Sequence, residues 1–145
     1  MRILALDIGD KRIGVAISDE LGVTARGLST IERISYKNDT DAVIGIVREH
    51  QVACIVAGLP LNLDGSDSVQ TVKTREFTKK LADKLRSNGL ASVSVELHDE
   101  RFTTKIAENV LIEADLSRKR RKDIIDKQAA VVILQSWLDS HRTQV

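Results

Sequence analysis

The stretch Ile3-Leu-Ala-Leu-Asp-Ile-Gly-Asp-Lys-Arg-Ile-Gly-Val-Ala-Ile-Ser-Asp19 sets one acidic residue, Asp7, inside an otherwise apolar strand. Burying an unpaired carboxylate is costly, so such a residue is neutralised, paired or bound to a cation. Residues 3 to 8 and 12 to 18 read as two strands, and Gly9 and Gly14 flank a tight reversal that holds Asp7 at the mouth of a site. The competing reading is structural: an Asx motif in which Asp7 accepts hydrogen bonds from the turn at 9 to 12.

Working outward, Thr24 to Ile31 adds a third strand to the meander. Asp39-Thr-Asp41 offers capping side chains for a helix reaching His50, with Val43, Ile46 and Val47 on one stripe. A buried strand, Ala53 to Ala57, runs into Gly58-Leu-Pro60, where the only proline ends it. The polar stretch Asn62 to Ser68 reads as a mobile loop before a helix from Ser68 to Asn88, stopped by Gly89. Val93, Val95 and Leu97 alternate with Ser94, Glu96 and His98 in another strand, ending at Asp99-Glu-Arg101. Thr103 or Thr104 is expected to cap a helix carrying Ile106, Ala107, Val110, Leu111 and Ala114. The last helix, Asp123 to Ser140, should turn Ile125, Ala129, Val132, Ile133 and Ser136 inward, with Leu134 and Trp137 packing. A meander followed by alternating helices and strands predicts one α/β domain over residues 1–145, a mixed five-stranded sheet with helices on both faces.

With 145 residues, 42% hydrophobic and 30% charged, the chain has the composition of a soluble globular domain. No membrane-spanning run and no secretory leader are read in it, so a cytoplasmic protein without a membrane partner is expected. The lone Cys54 sits in an apolar run and is expected to pack as a small hydrophobe. A net charge of +1 announces no polyanion partner, yet Arg118-Lys-Arg-Arg-Lys122 is a cationic run able to follow a phosphate backbone, or else a basic solvated loop.

Functional residues of open α/β sheets gather at strand ends, which singles out Asp7 and Glu100, with Asp99 as the alternative to Glu100. Asp126 precedes Ala129 and Ala130 by one helical turn, on a face of small side chains. Three carboxylates from three elements suit hard cations such as Mg²⁺, and paired divalent ions are the established means of activating water on a phosphodiester. Arg12 and Arg101 stand beside them as candidate phosphate contacts. Each acid also has a plainer explanation. Glu100 could pair with Arg101 or Lys105, and Asp126 occupies a first helical turn that favours any acid. His50 and His141 read as exposed helix termini, and His98 as a strand-end side chain.

Four stretches together resemble the YqgF family, also called RuvX-like, of the RNase H-like superfamily: Leu6 to Asp19, Val56-Ala-Gly-Leu-Pro-Leu61 with Asp64-Gly65, Asp99-Glu-Arg-Phe-Thr-Thr104, and Asp126-Lys-Gln-Ala-Ala-Val-Val-Ile-Leu-Gln135. The resemblance spans nearly the whole chain. It implies an RNase H-like fold whose acids fall on Asp7, Glu100 and Asp126, an Mg²⁺- or Mn²⁺-dependent endonuclease, and a 16S rRNA precursor as substrate, cut at its 5′ end. Because some relatives are similar to Holliday-junction resolvases, a four-way DNA junction is the enzyme alternative. It would call for a homodimer, whereas the RNA reading is met by a monomer or a homodimer. A nucleic-acid-binding module with a vestigial site is the non-enzymatic alternative, and an actin-like phosphotransferase fits least. Against the family pattern, Phe102 replaces a usual Leu, Lys127 adds a cation beside Asp126, and Ser66-Asp-Ser68 replaces a loop that often carries another Gly.

Overall fold

The computed structural model describes residues 1–101 and 118–142, with side chains except at 118–126 and 142. Its elements are β1 Arg2–Ile8, β2 Arg12–Ser18, β3 Ala25–Glu32, α1 Tyr36–His50, β4 Val52–Leu59, α2 Val69–Ser87, β5 Ser94–Asp99 and α3 Arg118–Arg142. The helix expected after Thr103 lies outside the described residues. None of the described helices is long and apolar enough to cross a membrane.

The strands form one sheet in the order β3-β2-β1-β4-β5. β1, β2 and β3 run antiparallel as the expected meander, whereas β4 joins β1, and β5 joins β4, in parallel. Strand alternation sorts the core into two layers. Leu4, Leu6, Ile8, Ile55 and Ala57 face α1 and α2, where Val43, Val47, Phe77, Leu81 and Leu85 meet them. Ile3, Ala5, Ala16, Cys54 and Val56 face α3, against Ala130, Ile133, Leu134, Trp137 and Leu138. Helices thus cover both faces, as the mixed sheet requires.

Several boundaries differ from expectation, each for a local reason. α1 begins at Tyr36, because Ser35 is its N-cap and accepts from the Asn38 amide at 3.1 Å. Asp39 instead lies in the first turn, 2% exposed, where it accepts from the Ile34 amide and from Arg33 Nε at 3.1 Å. β4 continues through Gly58 and Leu59, since both pair with β5, opposite His98 and Asp99. The loop before α2 is closed by its own bonds: Asn62 N to Ser66 O, Gly65 N to Asn62 O, and Asp64 accepting from Ser66. α3 includes Arg118 to Lys122, so the basic run is helical and not a loop before Asp123. Its inward stripe is Ala129, Ala130, Ile133, Leu134, Trp137 and Leu138, while Val132 and Ser136 are half-buried. The expected stripe had Ala129 and Ile133 right but was rotated elsewhere towards polar Ser136, and the side chain of Ile125 lies outside those described.

The reversal between β1 and β2 is tight because Gly9 donates its amide to Arg12 O at 2.9 Å, and a Cβ on Gly9 would meet that same oxygen at 2.9 Å. Three side chains brace it from the α1 and α2 side. Arg33 donates to Gly9 O at 2.9 Å, Gln70 donates to Ile8 O at 2.8 Å, and Lys73 pairs with Asp10 at 3.1 Å. Arg33 also lies over the Phe77 and Tyr36 rings, 5.3 and 5.7 Å from their centroids. Removing it strips a buried carboxylate of its cation. Arg33→Ala is therefore expected to lower the unfolding free energy by about 3 kcal/mol, measured by urea denaturation. A loss within experimental error would show that the Arg33 and Asp39 pair does not hold this corner.

Candidate active site

β1 is central and buried on both faces, so a side chain near its C-terminal end is held by neighbours on either side. Asp7 sits there, half-buried, opposite Gly14 of β2. By alternation it shares its face with Ile3 and Ala5, the face covered by α3. On the parallel side Leu6 pairs with Ala57, which brings Gly58 level with Asp7. Neither glycine raises a side chain on that face, so Asp7 stands in a gap in the sheet surface.

Glu100 follows β5 directly, donates its amide to Leu59 O at 3.2 Å, and is 7% exposed. Its carboxylate lies over Gly58: a Cβ built there would fall 2.5 Å from Oε2 and 2.5 Å from Cδ1 of Ile133 in α3. Asp7 and Glu100 therefore occupy the same face, on either side of the β1 and β4 pair. Asp99, by contrast, is an odd-numbered strand residue and continues the row of Val93 and Val95, which pack in the α1 and α2 core. Its carboxylate accepts from Arg101, at 2.9 Å from Nε and 2.8 Å from Nη2, and that hydrogen bonding holds it below the usual carboxylate range.

Arg101, expected as a phosphate contact, is thus bound to Asp99, and its Nη1 donates to Leu63 O at 3.1 Å. It ties the 62 to 68 loop to the end of β5. Arg12 lies on the Asp7 face, opposite Glu32 of β3. Lys127 is exposed and lays its stem over Gly27 of β3, with Cβ 3.5 Å from where a glycine Cβ would be. The backbone of Asp126 is helical, one turn before the buried Ala129 and Ala130, and its side chain lies outside those described, as do those of Arg118, Lys119, Arg120, Arg121 and Lys122. Trp137 and Leu138 line a cavity with Met1 and Leu21 near the start of β1, and Ile133 reaches Gly58 near the end of β4. The preceding turns of α3 therefore lead towards the strand ends that carry the acids. Among the described residues no three His, Cys, Asp or Glu side chains gather as a metal site. Two of the expected acids are placed together, and the third is placed by its backbone alone.

His98 belongs to this edge and does more than the strand-end role expected of it. It faces α3, and its Nε2 lies 2.9 Å from Ser136 Oγ, which pins β5 to the helix. Burial holds the imidazole below its ordinary range, so the ring is neutral there at pH 7. His141 is exposed as expected but stacks on Trp137, whereas His50 is half-buried near Arg2.

The family model described as RuvX: Holliday junction resolvase matches residues 1–140. A Myxococcus xanthus protein named as a candidate pre-16S rRNA nuclease is 49% identical over 142 residues, which cover 98% of this chain and 90% of the relative. A protein of the same name from Thermoanaerobacter pseudethanolicus is 47% identical over 145 residues, covering 99% of this chain and all of its own. Among solved structures, T. thermophilus RuvC in complex with Holliday junction substrate superposes with a TM-score of 0.59 at 13% identity, over 98% of this chain and 96% of that one. The fowlpox virus Holliday junction resolvase gives 0.56 at 15%, over 97% and 99%. These likenesses show the RNase H-like fold expected from the resemblance.

Cys54 stands on the α3 face too, and burial pushes its thiol up to about 11, with the Glu96 carboxylate acting in the same direction. A thiol this reluctant to ionise is no nucleophile at neutral pH. Native protein at pH 8 is therefore expected to resist iodoacetamide and to label fully once unfolded in urea. Labelling of the native form at the rate of a free thiol would show that the site has a reactive cysteine after all.

Proposed function

Because the chain belongs to the RuvX family, we propose that it is a metal-dependent endonuclease that hydrolyses phosphodiester bonds in a 16S rRNA precursor, near the 5′ end of the mature RNA. The observation that carries this reading is the placement of Asp7 and Glu100 on the same α3 face of the sheet, at the C-terminal ends of parallel strands. Names borne by relatives that are nearly half identical over almost the full chain support RNA as the substrate.

Carboxylate oxygens are the donor set that Mg²⁺ and Mn²⁺ prefer, and the seat over Gly58 keeps one of them at the site edge. Asp7, Glu100 and Asp126 would hold the ion or ions. When bound, such ions supply an activated water and relieve charge on the leaving oxygen. The chain's own residues do the rest. Asp7 is fixed by a strand bonded on both sides, so its carboxylate is presented without a loop's freedom. Arg12, on the same face, is placed to meet a phosphate of the scissile strand. The Arg118 to Lys122 run, on the turns of α3 that lead past the acids, supplies cations for the flanking backbone. Glu100 suits the role of second ligand better than Asp99, which faces the other core and is bound to Arg101.

The RuvX description and the resolvase-like fold make a four-way DNA junction the second substrate to try. Purified protein with Mg²⁺ or Mn²⁺ is expected to cut an RNA spanning the 16S 5′ flank, and chelation should stop it. Asp7→Asn should reduce the rate about a hundredfold or more, since loss of a ligand exceeds the effect of disturbing its outer partners. Cleavage of the junction but not of the RNA would replace the substrate. Undiminished cutting by Asp7→Asn would discard the site.

A further inference from the structure

Gly58 has no conformational reason to be glycine, since its φ is not among the positive values found at Gly22, Gly65 and Gly89. Space is the reason. A Cβ on Gly58 would lie 2.5 Å from Glu100 Oε2, 2.8 Å from Glu100 Cδ and 2.5 Å from Ile133 Cδ1, all closer than real Cβ contacts approach. At Gly45 a Cβ would meet nothing within 4 Å, and at Gly27 only ordinary contacts from 3.5 Å. A glycine within a strand marks close approach by another group, and here the group is an acid's carboxylate.

We propose that Gly58 is a positioning residue: its missing side chain is the seat that lets the Glu100 carboxylate, arriving from the end of β5, fold across β4 to the level of Asp7. The proposal rests on the reading of Glu100 as a metal ligand and extends it to the residue beneath. Strand geometry makes the seat necessary. Glu100 comes from β5, two strands away from β1, and must cross β4 to reach the acid it works with. Any side chain on the α3 face of β4 at this level stands in its path. Both atoms that an added methyl would meet are ends of flexible side chains, so Gly58→Ala displaces a carboxylate and a methyl group and leaves the backbone in place.

The test separates packing from positioning. Mn²⁺ binding by titration calorimetry and thermal melting would be measured for wild type, Gly58→Ala, Ile133→Val, Gly58→Ala with Ile133→Val, and Glu100→Gln. Removing Cδ1 of Ile133 relieves one of the two contacts and leaves the one with Glu100. The expected result is Mn²⁺ affinity weakened about tenfold to a hundredfold in Gly58→Ala and in the double variant, with Ile133→Val like wild type, and melting restored in the double variant. Wild-type affinity in either alanine variant overturns the proposal, and so does failure of both to fold, because packing alone would then explain the glycine. Wild-type affinity in Glu100→Gln overturns the ligand reading itself. Loss in Glu100→Gln with none in Gly58→Ala leaves that reading standing and removes only the seat.

Discussion

Parallel strands cannot be joined by a tight turn, so placing β4 directly beside β1 obliges the chain to pass through β2, β3 and α1 before it returns. That pairing makes β1 central, buries it on both faces, and forces α1 and α2 to one side of the sheet while α3 covers the other. It also aligns the C-terminal ends of β1, β4 and β5 along one edge. Every feature of the candidate site follows from this alignment: Asp7 from β1, the gap at Gly58 from β4, and Glu100 from the end of β5.

Period-two alternation then divides the acids. Along β5 the even positions Ser94, Glu96 and His98 face the α3 side, and Glu100 continues that row beyond the strand. Asp99 falls in the other row, with Val93 and Val95, and its carboxylate turns to Arg101. Two adjacent acids thus divide the work. One reaches the sheet face with Asp7, while the other fixes an arginine that also holds Leu63 O, anchoring the loop at the rim. A site built on strands and braced by a fastened loop loses little geometry on binding, which is the physical meaning of preorganisation.

The strands were legible because β1, β2 and β4 are rich in buried aliphatic residues, and β1 and β4 run into Gly9 and Pro60. Asp7 was legible for the same reason, as a charge that the pattern around it does not accommodate. The start of α1 was not, since Ser35 and Asp39 are both good capping residues, and only Arg33, from the preceding strand's end, decides that Asp39 is needed inside. The α3 stripe was partly legible: its alanines mark the close approach, but the expected stripe ran through Val132 and Ser136, which the structure leaves half-buried, Ser136 beside His98. Choosing between Glu100 and Asp99 was not possible from alternation alone, because which row of β5 shares the Asp7 face depends on how β5 joins the sheet. The role of Gly58 was invisible, because a glycine next to Leu-Pro reads as the end of a strand until its neighbour across the sheet is known.

Charge sets the last constraint. With a net charge of +1, the molecule as a whole does not draw in a polyanion, and two carboxylates at the strand ends repel one. Among the described residues, several cations around the same edge are engaged: Arg33 with Asp39, Lys73 with Asp10, Arg75 with Asp67, and Arg101 with Asp99. These pairs are unequal. The Arg33 bridge has its acid almost fully buried, whereas Lys73 with Asp10 and Arg75 with Asp67 are exposed pairs of a kind worth about 1 kcal/mol or less, which a phosphate can exchange at little cost. On the proposed function, attraction of nucleic acid to this edge rests on three things together: cations held at Asp7 and Glu100, exchange of the exposed bridges, and the positive run Arg118 to Lys122 in α3. On that reading all three weaken with added salt, which would couple nucleic-acid binding to metal occupancy through the same few charges.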